Sequence, residues 1–76
     1  MEINKNVYYD AKVGETECEL AVRSDFKGDY NSVDFCICQI REREEGKTIT
    51  RYKTLTLKEL RLALGLSQKA KLTIRG

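Results

Sequence analysis

The sequence predicts an α+β fold, in which a four-stranded antiparallel meander is followed by one C-terminal helix, within a single domain of residues 1–76. Apolar and polar residues alternate through most of the chain up to Leu55, which is the period of strands that bury one face. Turn-forming residues interrupt the alternation three times. Thr56 and Glu59 then give the sequence signature of a helix start.

The first two strands are predicted over residues 7–13 and 17–24 as a hairpin. Every second position of the first strand is apolar, at Val7, Tyr9, Ala11 and Val13. In the second strand the inward positions are Cys18, Leu20 and Val22. Gly14 at the first central position of the connection fits a type II′ turn.

The third and fourth strands are predicted over residues 33–43 and 48–55, which are rich in β-branched and aromatic residues. The turn between them decides which side chains share a face. A three-residue loop would place Arg41 beside Arg51. A two-residue loop would place them on opposite faces, because a shift of one residue inverts every side chain of a strand. The sequence leaves both registers open.

A helix is predicted over residues 57–65. Thr56 and Glu59 fit a capping box, and Gly65 fits the C-terminal cap. The leucines of this segment also alternate with a period of two, so a strand is the alternative, but the two caps favour the helix. Residues 71–75 can add a short final edge strand.

The composition excludes several classes of function. The chain has no histidine, which removes histidine-based acid–base catalysis and histidine-ligated metals. It carries no nucleophile motif and no glycine-rich phosphate loop, so we expect no enzyme and no cofactor. No apolar run approaches the roughly 20 residues that span a bilayer, and the first residues do not resemble a signal peptide. A cytoplasmic protein without a membrane partner is expected.

The three cysteines are expected to be reduced and buried. Their number is odd and no secretory signal precedes them, so no disulfide framework is predicted. Cys36 and Cys38 share one face of a strand, and Cys18 alone cannot complete a tetrahedral metal site with them. The sequence favours three small buried hydrophobic side chains and no metal.

Charge is distributed unevenly along the chain. Residues 1–40 carry four cations and eight acids, whereas residues 41–76 carry ten cations and four acids, giving net charges of −4 and +6. A basic half of this kind indicates an anionic partner. Cations interleaved with aromatic residues are typical of proteins that bind single-stranded nucleic acid. The alternative is an ordinary solvated hairpin, in which the arginines offset Glu42 and Glu44.

Several short motifs resemble the transcriptional positive cofactor four family. They are residues 20–28 (LAVRSDFKG), Ile40-Arg41-Glu42, Gly46-Lys47 and residues 53–57 (KTLTL). The resemblance covers roughly residues 18–64. It implies a four-stranded antiparallel sheet with a C-terminal helix, dimerisation through the helices, and single-stranded nucleic acid bound on the curved sheets. Arg23, Lys27, Arg41 and Lys53 match basic positions of the family, and Phe26 matches the turn aromatic. The chain differs in its longer first turn at residues 29–32, its short helix without an aromatic residue, and its basic tail.

We therefore predict a sequence-tolerant protein that binds single-stranded DNA or RNA and acts in transcription or replication as a homodimer. The candidate binding residues are the cations and aromatics of the first loop and of the second hairpin, namely Arg23, Phe26, Lys27, Arg41, Arg43, Arg51, Tyr52 and Lys53, with Tyr30 on the same loop. The alternative is a small protein-binding module, for example a phage-encoded inhibitor, that docks on its protein partner by a sheet edge or by its leucine-rich helix.

The dimer prediction comes from the helix. Its leucines form two stripes, and one sheet face cannot cover both stripes of so short a helix. The candidate interface residues are Leu57, Leu60, Leu62 and Leu64. The alternative is that Leu62 packs beneath residues 66–76 of its own chain.

Overall fold

A computed structural model describes residues 1–28 and 34–76. Its elements are β1 (Glu2–Asn4), β2 (Tyr8–Val13), β3 (Thr16–Val22), β4 (Phe35–Glu44), β5 (Lys47–Thr56), α1 (Leu57–Ala63) and β6 (Thr73–Arg75). Strands β2 to β5 form one antiparallel sheet in sequential order, and β1 pairs with β6 in a separate two-stranded sheet. The predicted meander, helix and final strand are confirmed. Strand β1 is an element that the sequence did not predict, and Tyr30 lies outside the described residues.

The β2–β3 hairpin has the predicted turn. Val13 pairs with Thr16, so Gly14 and Glu15 form a two-residue connection. Gly14 has a φ of 63° and Glu15 has no positive φ, which is the type II′ pattern. Strand β2 begins at Tyr8, one residue later than the predicted start at Val7. Asn6 takes a left-handed φ of 67° where the chain turns out of β1, which leaves Val7 45% exposed before β2 begins.

The β4–β5 hairpin has the two-residue turn. Glu44 pairs with Lys47, and the intervening Glu45 and Gly46 have φ values of 51° and 77°. Positive φ at both central residues is the type I′ turn, whose twist matches that of the flanking strands. Each of these strands is ten residues long. Of the two registers that the sequence left open, the structure therefore has the one that separates Arg41 from Arg51.

Both ends of α1 are capped by the residues that the sequence indicated. The Glu59 amide donates to the Thr56 hydroxyl over 3.2 Å, and the Thr56 amide donates to the Glu59 carboxylate over 3.1 Å. At the other end, Gly65 adopts a left-handed φ of 71°. The amides of Gly65 and Leu66 then donate to carbonyls of the last turn, which is a Schellman motif. This motif ends the helix at Ala63, two residues earlier than predicted.

One face of the meander is buried, and we call it the core face. Its fully buried side chains are Leu20, Val22, Cys36, Cys38, Ile40 and Leu55. All of them except Ile40 form one cluster with Leu60 and Ala63 of α1 and Ile3 of β1. The helix and the β1–β6 pair therefore both pack on the core face. The other side of the sheet, which we call the open face, is not covered by any described helix or strand.

The β1–β6 pair joins the two ends of the chain in parallel, with Ile3 opposite Ile74. The Met1 ammonium group donates to the Lys71 carbonyl over 2.8 Å, and an ion pair of 3.0 Å joins Arg75 to Glu2. Because Ile3 has no exposed surface, this short ribbon is part of the core. No described helix is long and apolar enough to cross a membrane.

Candidate nucleic-acid interface

The register of the β4–β5 hairpin decides which side chains share the open face. Successive side chains of a strand point to opposite sides. On β4 the buried residues occupy even positions and on β5 Leu55 occupies an odd one, so the remaining parity faces outward. The open face of this hairpin consists of Phe35, Ile37, Gln39, Arg41, Arg43, Thr48, Thr50, Tyr52, Thr54 and Thr56.

Tyr52 is the most exposed large hydrophobic side chain among the described residues, at 65%. It lies opposite Gln39 in the middle of the hairpin and is flanked along its own strand by Thr50 and Thr54. Within β4 and β5, the open face carries two arginines and no carboxylate. An exposed ring between polar side chains and cations can stack against a nucleobase. Sequence reasoning found Tyr52 but missed the threonines that share its parity.

Arg41 is held in place by two neighbours on the open face. Its Nε and Nη2 atoms lie 3.2 and 3.1 Å from Oε1 of Glu19, which is its cross-strand partner on β3. The guanidinium carbon also sits 3.8 Å from the centroid of the Tyr8 ring, a cation–π contact. Arg41 therefore already has a carboxylate partner, and Tyr8 is a neighbour of this site that the sequence did not indicate.

Arg43 is the available cation of this surface. It is exposed near the end of β4, opposite Thr48. No carboxylate lies within salt-bridge distance of Arg43 among the described residues. Its guanidinium group can therefore contact a phosphate without first breaking an ion pair.

Arg51 and Lys53 lie on the core-face side of β5, so the structure does not bring them together with Arg41 and Arg43 on one face. Arg51 forms an ion pair of 3.2 Å with Glu42. Lys53 is exposed and lines a groove between β5 and α1 together with Leu62. The four predicted cations of this hairpin therefore form two pairs: Arg41 and Arg43 lie on the open face, and Arg51 and Lys53 lie on the other side.

The first loop contributes less to the surface than predicted. Phe26 is half-buried and packs against the core cluster, so its ring is not available as an exposed stacking platform. Arg23 and Lys27 are exposed. The Arg23 amide donates to the Ile37 carbonyl over 2.8 Å, which places Arg23 beside the start of β4. Arg43 lies six positions beyond Ile37 along β4, so it is about 20 Å from the end of the sheet where Arg23 lies.

The four candidate dimer leucines have different surroundings. Leu60 has no exposed surface, Leu64 packs against the core cluster, and Leu57 is half-buried. Leu62 is 60% exposed, so residues 66–76 do not cover it. Most of the predicted stripe therefore packs within the chain, and Leu62 alone of the four presents most of its side chain to a partner. The homodimer stays a prediction.

The thiols are free, and two of them are fully buried. Cys36 and Cys38 lie on the core face with their sulfur atoms 3.6 Å apart, whereas Cys18 is half-buried. Burial raises the pKa of Cys18, and the shared S–H···S contact with Cys36 together with burial raises the pKa of Cys38. Within residues 1–28 and 34–76, no three cysteine or carboxylate side chains are grouped as metal ligands.

We expect a thiol reagent to distinguish these cysteines in the folded protein. Cys18 should react slowly, because its raised pKa leaves little thiolate at neutral pH, and its rate should keep increasing into the alkaline range. Cys36 and Cys38 should react only when the core opens. Mass spectrometry of the labelled chain, with a urea-unfolded sample as the control, would count the thiols. Rapid labelling of all three in the native state would contradict this structure.

No protein-family model matches the chain, and searches of curated proteins and of solved structures give no significant match. The resemblance to the positive cofactor four family is therefore carried by the short motifs alone.

Proposed function

We propose that this protein binds single-stranded nucleic acid, DNA or RNA, on the β4–β5 half of its open face, with little preference for sequence. The observation that carries the proposal is Tyr52, a tyrosine that is 65% exposed in the middle of a strand on the open face of the sheet. A buried position would have hidden the ring from solvent and from a ligand. Stacking of a base on an aromatic side chain is worth about 1–3 kcal/mol and tolerates every base.

The neighbours of Tyr52 suit the rest of such a ligand. Arg43 provides a charge for a phosphate, and the threonine hydroxyls of β5 provide donors for phosphate or sugar oxygens. Arg51 and Lys53 lie on the other side of β5, but β5 is an edge strand, so their long side chains can approach a nucleic-acid strand that passes the edge. The +6 net charge of residues 41–76 favours the approach of a polyanion.

A cytoplasmic location and a role in transcription or replication as a homodimer belong to the same proposal. The three free thiols are in keeping with a reducing compartment. Leu62 is the side chain through which α1 would contact a second copy, because it is exposed while Leu60 is buried.

Replacement of Tyr52 tests this function directly. We expect Tyr52→Ala to weaken the binding of a labelled mixed-sequence strand of about 15 nucleotides by about 1–3 kcal/mol, while Tyr52→Phe keeps most of the affinity. Arg43→Ala should weaken binding about equally for all sequences and reduce the dependence on salt, because a phosphate contact releases counterions and carries no base information. Fluorescence anisotropy over a range of salt concentrations would measure these affinities.

Two results would contradict the proposal. The first is that the parent protein binds no strand even at low salt. The second is that Tyr52→Ala binds a strand as tightly as the parent does. Duplex DNA of the same sequence is the control ligand, since bases that remain paired and stacked cannot lie on Tyr52.

A further inference from the structure

The outer edge of β5 is long and, among the described residues, unpaired. In the order β2-β3-β4-β5 this strand is terminal, and no described strand pairs with its outer side. Residues 47–54 are all exposed, the register with β4 runs without a bulge from Lys47 to Thr56, and the chain contains no proline. Edge strands are usually kept short, bulged or interrupted, because an open ladder pairs with other strands. This edge has none of these three protections.

The turn fixes which backbone groups of β5 point outward. A two-residue hairpin closes on a hydrogen-bonded pair, here Glu44 and Lys47, and such pairs recur at every second residue. The odd residues of β5 therefore bond to β4. The outward amides and carbonyls belong to Thr48, Thr50, Tyr52 and Thr54. The backbone amide of Thr56, another even-numbered residue, also points away from β4, because it donates to the Glu59 side chain.

On one face of β5 the side chains have a high propensity for strand pairing. On the other face they are mostly cations, which favour a pairing strand with acidic side chains. The four outward residues are threonines and a tyrosine, which have high strand propensity. The opposite side of the strand carries Lys47, Arg51 and Lys53. Within the described part of the chain, only Arg51 of these three has a carboxylate partner, Glu42.

These cations disfavour a second copy of the same edge. In a two-fold antiparallel pair, a register centred on Arg51 places this side chain against its own copy, and a register centred on Tyr52 places Arg51 opposite Lys53. A register centred on Thr50 places Lys47 opposite Lys53. Like charges directly opposite each other destabilise a strand pair. An acidic strand would instead meet a complementary charge at each of these positions.

We propose that the β5 edge binds an extended acidic peptide segment of another protein by strand addition. The main chain of the peptide pairs with Thr48, Thr50, Tyr52 and Thr54. Every second side chain of the peptide is acidic and lies on the same side of the sheet as Lys47, Arg51 and Lys53. The intervening side chains are small or β-branched and lie beside Tyr52. Main-chain hydrogen bonds supply affinity and the alternate side chains supply selectivity. This surface shares Arg51 and Lys53 with the nucleic-acid surface, but it uses the backbone of Tyr52 and not its ring.

A proline substitution separates the edge from the rest of the protein. Because the Thr50 amide points outward, Thr50→Pro removes a donor for the added strand and no hydrogen bond within the sheet. The probe is a labelled peptide in which valine and glutamate alternate. It has about eight residues, a length within the ordinary range of strands. We expect Thr50→Pro to weaken binding about tenfold, and the matched variant Thr50→Ala, which keeps the amide, to bind within about twofold of the parent. Lys53→Glu should also weaken this peptide and strengthen a peptide that alternates valine and lysine.

Amide exchange in the parent protein provides a second measurement that does not depend on the folding of a variant. The amides of Thr50 and Tyr52 should exchange rapidly in the free protein and become protected with the acidic peptide, whereas those of Ile49 and Arg51 are protected in both states. The proposal is overturned if the acidic and basic peptides bind equally, if the outward amides stay unprotected, or if self-association alone protects them. Arg43→Ala lies on β4, outside the peptide surface, and should retain peptide binding while it weakens nucleic-acid binding, so a failure of nucleic-acid binding is distinguishable from a failure of this proposal.

Discussion

Replacing Leu60 by alanine is expected to lower the free energy of unfolding by about 2–5 kcal/mol. Leu60 has no exposed surface and lies in the cluster that joins α1 to Leu20 and Leu55 of the sheet. The substitution removes buried methyl groups and leaves a cavity that the short helix cannot fill. A chain of this length is expected to have a total stability of roughly 4–11 kcal/mol, so the substitution should remove a large part of it.

Urea denaturation followed by circular dichroism would measure this loss, with Leu62→Ala as the matched control. Leu62 lies two positions along the same helix and is 60% exposed, so its removal should change stability by no more than about 0.5 kcal/mol in the monomer. The pair of variants also separates the core from a dimer interface. If Leu60→Ala dissociated a dimer and left the stability of the monomer unchanged, Leu60 would belong to the interface, against its position in this structure.

The elements that could be predicted from the sequence are those whose determinants lie within a few residues of one another. Thr56, Glu59 and Gly65 specify both ends of α1 through hydrogen bonds that span at most five residues. Gly14 specifies the β2–β3 turn in the same way, because a type II′ turn needs a positive φ at its first central residue. Local chemistry of this kind is readable without knowledge of the tertiary fold.

The composition of the candidate site could not be predicted, because it depends on one residue of register. Glu45 takes a φ of 51°, a conformation that non-glycine residues seldom adopt and that glutamate does not signal. A loop longer by one residue would have placed Arg41, Arg43, Arg51 and Lys53 together. With the two-residue turn, Tyr52 shares its face with Arg43, and this pairing now carries the functional proposal.

Two further differences come from contacts between distant parts of the chain. Phe26 lies in a loop segment with polar neighbours, which suggested an exposed ring, but it packs against the core cluster. Strand β1 has only three residues and gains its order from β6 at the other end of the chain. A strand this short has no periodicity of its own, so no local pattern could have revealed it.

The importance of this ribbon leads to the second large effect, which is expected for Ile3→Ala. Ile3 is fully buried against the sheet, and its removal should cost about 2–5 kcal/mol. Because each kcal/mol shifts the melting temperature of a domain of this size by about 4–8 °C, the melting temperature should fall by at least about 8 °C. Asn4→Ala is the control, since Asn4 lies next to Ile3 in β1 but is exposed.

Amide exchange of Thr73 shows whether the loss is local or global. Its amide donates to the Met1 carbonyl over 3.0 Å, so it reports on the β1–β6 pair. The ribbon is also hydrogen-bonded to the meander. The backbone amide of Asn4 donates to the Tyr9 hydroxyl, and the backbone amide of Asn6 donates to the Val22 carbonyl. We therefore expect Ile3→Ala to melt in one transition at a lower temperature, with Thr73 exchanging faster and the strands of the sheet less protected. If Thr73 lost its protection while the melting temperature stayed that of the parent, the ribbon would be an appendage to a meander and helix that are stable without it.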